Sequence, residues 1–189
     1  HSDRARKDGV TQLDSQYDVI VVGGGPAGLS GGLWLARYRR HVVVLDSGKP
    51  RNDPAWAVHG YPATVDPPPH ELRRVLISQA QEAGAEWAGA DVDRITGEKN
   101  DFTVHLDDGR QLHARRIILA YGLRDNLPDV DGALELYGRS VFHCPDCDGP
   151  SCTGKRIGVF GWDRGAALLS LYPLTWAESV VLFTNGNEL

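Results

Sequence analysis

No methionine occurs in this 189-residue chain, and cysteine appears only at Cys144, Cys147 and Cys152. We have no physical account of the missing methionine. Three cysteines are too few for the disulfide framework that staples small secreted domains. They favour a reducing, cytoplasmic setting, where a C-x-x-C pair is more often redox-active or metal-binding. Basic residues are also in deficit. Twenty Lys and Arg stand against 25 Asp and Glu, a formal charge of −5 with no basic stripe, which argues against a nucleic-acid partner. No apolar run approaches the roughly 18 residues of a membrane span; "VIVV" and "VVVL" are strand-sized. The opening "HSDRARKDGV" is polar, without an initiator Met or a signal peptide, and residues 1–16 are expected to form a disordered tail. What remains is 41% hydrophobic and 24% charged, a globular composition.

"YDVIVV" (Tyr17–Val22) is a β-branched apolar run that ends in glycine, the pattern of a buried strand. "LSGGLWLARYRR" (Leu29–Arg40) predicts a helix that closes on basic residues, and "HVVVLD" (His41–Asp46) a second buried strand. Together they make a βαβ unit. Residues 47–69 are rich in Pro, Gly and aromatics without a period, as in a functional or disordered loop. A helix is expected over His70–Ala85, then strand-like "EWAGADVDRI", alternating "FTVHL", a "DDG" hairpin turn and the buried strand "RRIILA". After "YGLRDNLPDVDG", a crossover linker, and "HCPDCDG", the first pattern restarts. A strand Arg156–Phe160 leads to helix-like "RGAALLSLYPLTWAES", with a break or kink at Pro173, and to a strand Val180–Thr184. The expected fold is α/β, with two Rossmann-like doubly wound nucleotide-binding domains, the second incomplete in this chain. Residues 17–124 are assigned to the first and 125–189 to the C-x-x-C and the start of the second.

"GGGPAG" contains G-x-G-x-x-G at Gly23, Gly25 and Gly28. Gly23 permits a tight turn, Gly25 leaves room for a pyrophosphate, and Gly28 lets the helix pack on the strand. The helix N-terminus adds N–H groups and positive potential. Asp46, about 20 residues on at the end of the next strand, suits ribose hydroxyls. Taken alone, "HCPDCDG" leaves three readings open: half of a zinc site, an inert turn, or a redox pair. Cys144, Cys147, Cys152 and His143 can be counted to four zinc ligands, but their spacing matches no paired zinc pattern. A C-x-x-C at the start of a helical turn brings two sulfurs near disulfide distance and can depress the pKa of one. Asp148 is either an acid–base group or a helix cap.

The order of "YDVIVVGGGPAGLSGGLWLAR", "IILAYG" and "CPDCDG" resembles the thioredoxin-reductase-like flavoproteins, over residues 17–189. The resemblance implies that the first βαβ unit binds FAD, through Gly23, Gly25, Pro26, Ala27, Gly28 and Asp46. It further implies flavin or adenine contacts from Arg51, Asn52, His59 and Gly60, from the Val92 backbone, and from Ala120 and Gly122. In that family Thr stands where this chain has Tyr121. Cys147 would face the flavin, Cys144 would exchange with a thioredoxin-like protein or a small dithiol or disulfide, and Asp148 would move the proton. Cys152 lies outside the motif, and no metal is expected. A homodimer is implied as well.

"RIGVFGWDRGAALL" places Gly161, Asp163 and Ala166 at the three positions of a second nucleotide motif. Asp163 would set a carboxylate where a pyrophosphate approaches, and no Lys or Arg follows from Phe183 onward. An NADPH site is therefore doubtful, and the nearest likeness is the subgroup with an impaired nicotinamide site, which includes dithiol oxidases. The alternatives are an ordinary NADPH-dependent thioredoxin reductase and a non-catalytic flavin or redox sensor.

Overall fold

The computed structural model describes residues 13–62 and 64–188, so most of the expected tail lies outside the described residues. The chain divides into two compact units. The first comprises the described residues up to Asp53 together with His70–Asn126; the second comprises Pro54–Pro69 and the chain from Leu127 onward.

The first unit is built on a six-stranded sheet. Its strands are β1 (Gln16–Val22), β2 (Val42–Asp46), β3 (Glu86–Gly89), β4 (Val92–Glu98), β5 (Asp101–Leu106) and β6 (Gln111–Leu119), in the order β3-β2-β1-β6-β5-β4. β3, β2, β1 and β6 run parallel; β5 and β4 complete an antiparallel meander. The stretch "EWAGADVDRI" is thus two strands at opposite edges of one sheet. β6 begins at Gln111, ahead of the expected "RRIILA", because its first half pairs with β5 across the Asp108–Gly109 turn.

β1 and β2 read as near-continuous apolar runs because both faces are covered. Val19, Val21, Val42 and Val44 meet Leu29 and Ala36 of α1 (Pro26–Arg37) and Ala80 of α2 (Pro69–Glu82). Ile20, Val43 and Leu45 meet Val104, Leu106 and Leu112 of the meander on the other face. Each such side chain contributes on the order of 1.5–3 kcal/mol on burial. Both helices begin and end earlier than expected. Pro26 takes the first helical position, where its fixed φ suits and its missing N–H is not needed. At the other end Arg39 turns left-handed, with φ 58°, and stops α1.

At the starting ends of β1, β2 and β3, Asp14, Tyr17, His41 and Glu86 form a hydrogen-bonded cluster. The Tyr17 hydroxyl donates to Glu86 at 2.7 Å, and His41 Nε2 lies 3.0 Å from Glu86 and 3.3 Å from Asp14. Burial and then Glu86 hold the Tyr17 phenol above its ordinary pKa.

The second unit holds α3 (Ala133–Leu136), α4 (Pro145–Asp148), a 3-10 turn at Gly149–Cys152, and a parallel pair β7 (Arg156–Phe160) and β8 (Ser179–Phe183) joined through α5 (Arg164–Leu169). The long helix expected after Arg164 does not form. It stops at Leu169 and is followed by a 3-10 turn, Tyr172–Thr175. Pro173 has no N–H to give, and its ring would meet the carbonyl four residues back.

Candidate active site

The turn after β1 lies where the parallel sheet changes direction, with β2 on one side of β1 and β6 on the other. Such switch points are where open α/β sheets take ligands. Each glycine there answers to a different neighbour. Gly23 has φ 109°, and a Cβ on it would stand 2.3 Å from the Ala120 oxygen. The loop after β6, with Ala120 and a left-handed Gly122, therefore lies against the glycine turn. A Cβ on Gly28 would stand 1.9 Å from the Gly23 oxygen. Gly24, which the motif leaves unassigned, faces Asp46, whose carboxylate a Cβ would meet at 2.3 Å. Gly25 alone is bare for no internal reason: nothing lies within 4 Å of its ideal Cβ, and its φ of −79° suits any residue.

Gly25 is also the N-cap of α1 and offers no side-chain cap, while Pro26 occupies the first turn. The first N–H groups of a helix have no intrahelical partner, so those of Ala27 and Gly28 stay open to an anion. An uncapped twelve-residue helix opening on a bare glycine fits a pyrophosphate, and FAD, which carries one, fits this site.

Asp46 is buried at the end of β2. Its Oδ1 accepts the Gly48 N–H at 3.0 Å, and its Oδ2 takes both Nε and Nη2 of Arg73 from α2. A carboxylate has about four acceptor positions, so one on Oδ1 remains for a ribose hydroxyl. Arg73 was not legible as a partner, because no local spacing connects it to Asp46. Arg51 does not present a free guanidinium, since Asp125 grips it bidentately at 2.7 and 2.5 Å. Asn52 is exposed in the turn that follows. Val92 opens β4 beside a β-bulge.

The register of the second motif has a structural counterpart. Asp163 is the N-cap of α5, in extended backbone like Gly25, and a Cβ on Gly161 would stand 2.3 Å from the Ala166 Cβ. Gly161, Asp163 and Ala166 thus repeat the places of Gly23, Gly25 and Gly28. The difference is that Asp163 Oδ1 accepts the Ala166 N–H at 2.7 Å. The helix start that is open in α1 is closed in α5 by the chain's own carboxylate.

In the second unit, Cys144 and Cys147 are joined by a disulfide, with Cα atoms 5.3 Å apart. Pro145 starts α4, and the Cys144 Sγ accepts the Cys147 N–H at 3.1 Å. Cys152 stays free. Gly149 gives way to the Trp176 ring, which a Cβ would meet at 2.4 Å, so the turn after α4 packs closely. Asp148 is half-buried and caps nothing through its side chain. Burial pushes its carboxyl above the usual range, opposed by the charges of His59 and His143. His143 is held by the Tyr137 hydroxyl, 2.7 Å from its Nδ1. A cavity of about 450 Å³ adjoins this motif, lined among others by Trp56, His59, Asp66, Asp146 and Cys147. His59, expected beside the flavin, shares this unit with the disulfide, as does Gly60. Asp66 and Trp56 carried no signal, since the loop that holds them has no period.

Residues 17–161 match the family described as pyridine nucleotide-disulphide oxidoreductase. The chain belongs to that family. Its curated relatives include the thioredoxin reductase sirT of Leptosphaeria maculans, 34% identical over 186 residues, covering 92% of this chain and 57% of that protein. Among solved structures, HlmI superposes with a TM-score of 0.86 at 39% identity, covering 96% of this chain and 58% of that one. A putative thioredoxin reductase of Bacillus anthracis gives 0.85 at 28% identity, covering 91% and 59%. The chain spans somewhat over half the length of these proteins. No helix among the described residues is long and apolar enough to cross a membrane.

Proposed function

We propose that this chain forms the FAD and disulfide portion of a flavin-dependent dithiol–disulfide oxidoreductase. The observation that carries the proposal is the Cys144–Cys147 disulfide, set beside a half-buried Asp148 and a cavity that Cys147 lines. Bound FAD supplies a two-electron donor or acceptor. Gly25 and the open N–H groups of Ala27 and Gly28 hold its pyrophosphate, and Asp46 takes a ribose hydroxyl. A thiolate of the partner attacks the Cys144 sulfur, the Cys144–Cys147 bond breaks, and the electron pair passes to Cys147. A second partner thiolate then releases Cys144, and Asp148 exchanges the proton. The partner is a thioredoxin-like protein or a small dithiol, and the enzyme is a cytoplasmic homodimer.

Within this class we favour the members with an impaired nicotinamide site. A pyrophosphate would meet the Asp163 carboxylate and a helix start already occupied by it. Like unit charges about 4 Å apart at an effective dielectric near 20 repel by roughly 4 kcal/mol, and a quarter of that costs about fivefold in affinity. The relatives named thioredoxin reductase favour a second reading, in which NADPH is the reductant. Anaerobic stopped-flow on the FAD-loaded protein separates the two. Fast flavin bleaching by a small dithiol with slow bleaching by NADPH is expected, and Cys147→Ser should lose the former. Rapid bleaching by micromolar NADPH would select the second reading. Loss of no flavin chemistry in Cys147→Ser, or absence of turnover with any dithiol, would leave a redox sensor.

A further inference from the structure

His59 is held from two sides. Its Nδ1 lies 3.0 Å from Asp66 Oδ2, and the edge of the Trp56 ring packs on it with centroids 5.0 Å apart. A carboxylate can only accept, so Nδ1 carries the proton and, in the neutral imidazole, Nε2 keeps its lone pair. That Nε2 is buried and has no hydrogen-bond partner among the described residues. Buried ring nitrogens are seldom left so. The cavity that His59 lines is also lined by Cys147, Asp66 and Asp146, and no Lys or Arg among the described residues lines it. Asp148 is near enough to feel the charge of His59 and that of His143.

We propose that His59, oriented by Asp66, accepts the proton released when the Cys144–Cys147 disulfide is opened by a dithiol, and that the resulting imidazolium holds Cys147 as a thiolate. The inference rests on the dithiol–disulfide reading above. The balance is closed within the exchange. A partner thiol gives its proton to His59 Nε2, and its sulfur bonds to the Cys144 Sγ. The Cys144–Cys147 bond breaks and its electron pair stays on Cys147. The partner sulfur is oxidised to the mixed disulfide and Cys147 is reduced. The imidazolium then lies between Asp66 on Nδ1 and the thiolate. The other titratable groups around it are Asp146, which lines the same cavity, and Asp148 and His143. Asp66 is a positioning residue: it acts through His59, whose tautomer it fixes.

The test reads the thiols without requiring the flavin. The protein is reduced with dithiothreitol, alkylated with iodoacetamide from pH 5 to 10, and Cys147 labelling is followed by fragment mass spectrometry. In the wild type, Cys147 labelling should rise with an inflection at least one unit below the ordinary thiol value of about 8.5. His59→Gln should move it back towards that value and slow labelling at pH 6.5 about tenfold. Asp66→Asn, at an exposed position whose φ of 41° asparagine adopts as readily as aspartate, should shift it in the same direction, and Asp66→Glu should restore it. An inflection unmoved in both His59→Gln and Asp66→Asn overturns the assignment while the dithiol reading stands. A wild-type disulfide that dithiothreitol does not open overturns the dithiol reading, and this inference with it.

Discussion

Gly25 and Gly28 are alike in composition and opposite in what their missing side chains serve. Gly28 is bare because the Gly23 carbonyl occupies the space; Gly25 is bare with nothing within 4 Å. Gly28→Ala should therefore destabilise the fold by about 1–3 kcal/mol or more, as overpacking does. Gly25→Val should leave the flavin-free protein folded and lower its melting temperature by only a few degrees, because valine is a poorer N-cap than glycine by on the order of 1 kcal/mol and meets nothing within 4 Å. The same change should abolish FAD binding. Thermal melts and flavin absorbance on both variants check this; a Gly25→Val protein that purifies yellow would end the pyrophosphate assignment. Asp148 gives a second residue-scale expectation. Burial raises its carboxyl pKa, so the folded chain binds this proton more tightly than the unfolded one. Stability from this group is then present at low pH and lost as pH rises from the ordinary carboxylate value through the raised one. At neutral pH the ionised side chain costs stability, so Asp148→Asn should melt higher than wild type at pH 7. That gain should vanish towards pH 3. An unchanged difference across that range would show that burial of the carboxylate is not its cause.

Two helices start in the same register and differ in how the start is capped. α1 opens on Gly25 without a cap, and α5 opens on Asp163, whose carboxylate takes the Ala166 N–H. Replacing an Asp cap with Gly costs only a few tenths of a kcal/mol. Asp163→Gly should thus leave the fold intact while it uncovers the α5 start and removes a like charge. In the FAD-loaded protein, flavin reduction by NADH is expected to speed up at least fivefold. NADPH should gain less, because residues 184–189, directly after β8, hold no Lys or Arg to meet a 2′-phosphate. No change with either nucleotide would mean that Asp163 is not what limits the site.

The two units differ in how well their sheets are covered. β1 and β2 sit inside a six-stranded sheet with both faces packed. β7 and β8 form a two-stranded sheet in which Phe160 and Phe183 stack at 5.1 Å while remaining about half exposed. Two strands alone are marginal. In the 189-residue chain, hydrogen exchange should therefore be at least about tenfold faster at the β7 and β8 amides than at those of β1 and β2. Equal protection would show that β7 and β8 gain support from elsewhere.

Much of the first βαβ unit was legible because it is written in local terms. A β-branched run bounded by glycine and a helix started by proline depend on neighbours a few positions away, and so does the C-x-x-C turn. The sequence by itself determined these, together with the bare position at Gly25 and the carboxylate at Asp163. The limits of α1 moved by one turn because Pro26 and Arg39 act through backbone dihedrals that periodicity does not report. The helix expected after Arg164 failed for the same reason at Pro173. Only the tertiary structure decided that β4 lies at the far edge from β3 and that Arg73 shares Asp46. It alone brought His59 and Asp66 to the cavity beside Cys147. Those pairings join segments far apart along the chain. They are selected by burial and by the need to partner buried charge, and no spacing between residues encodes them.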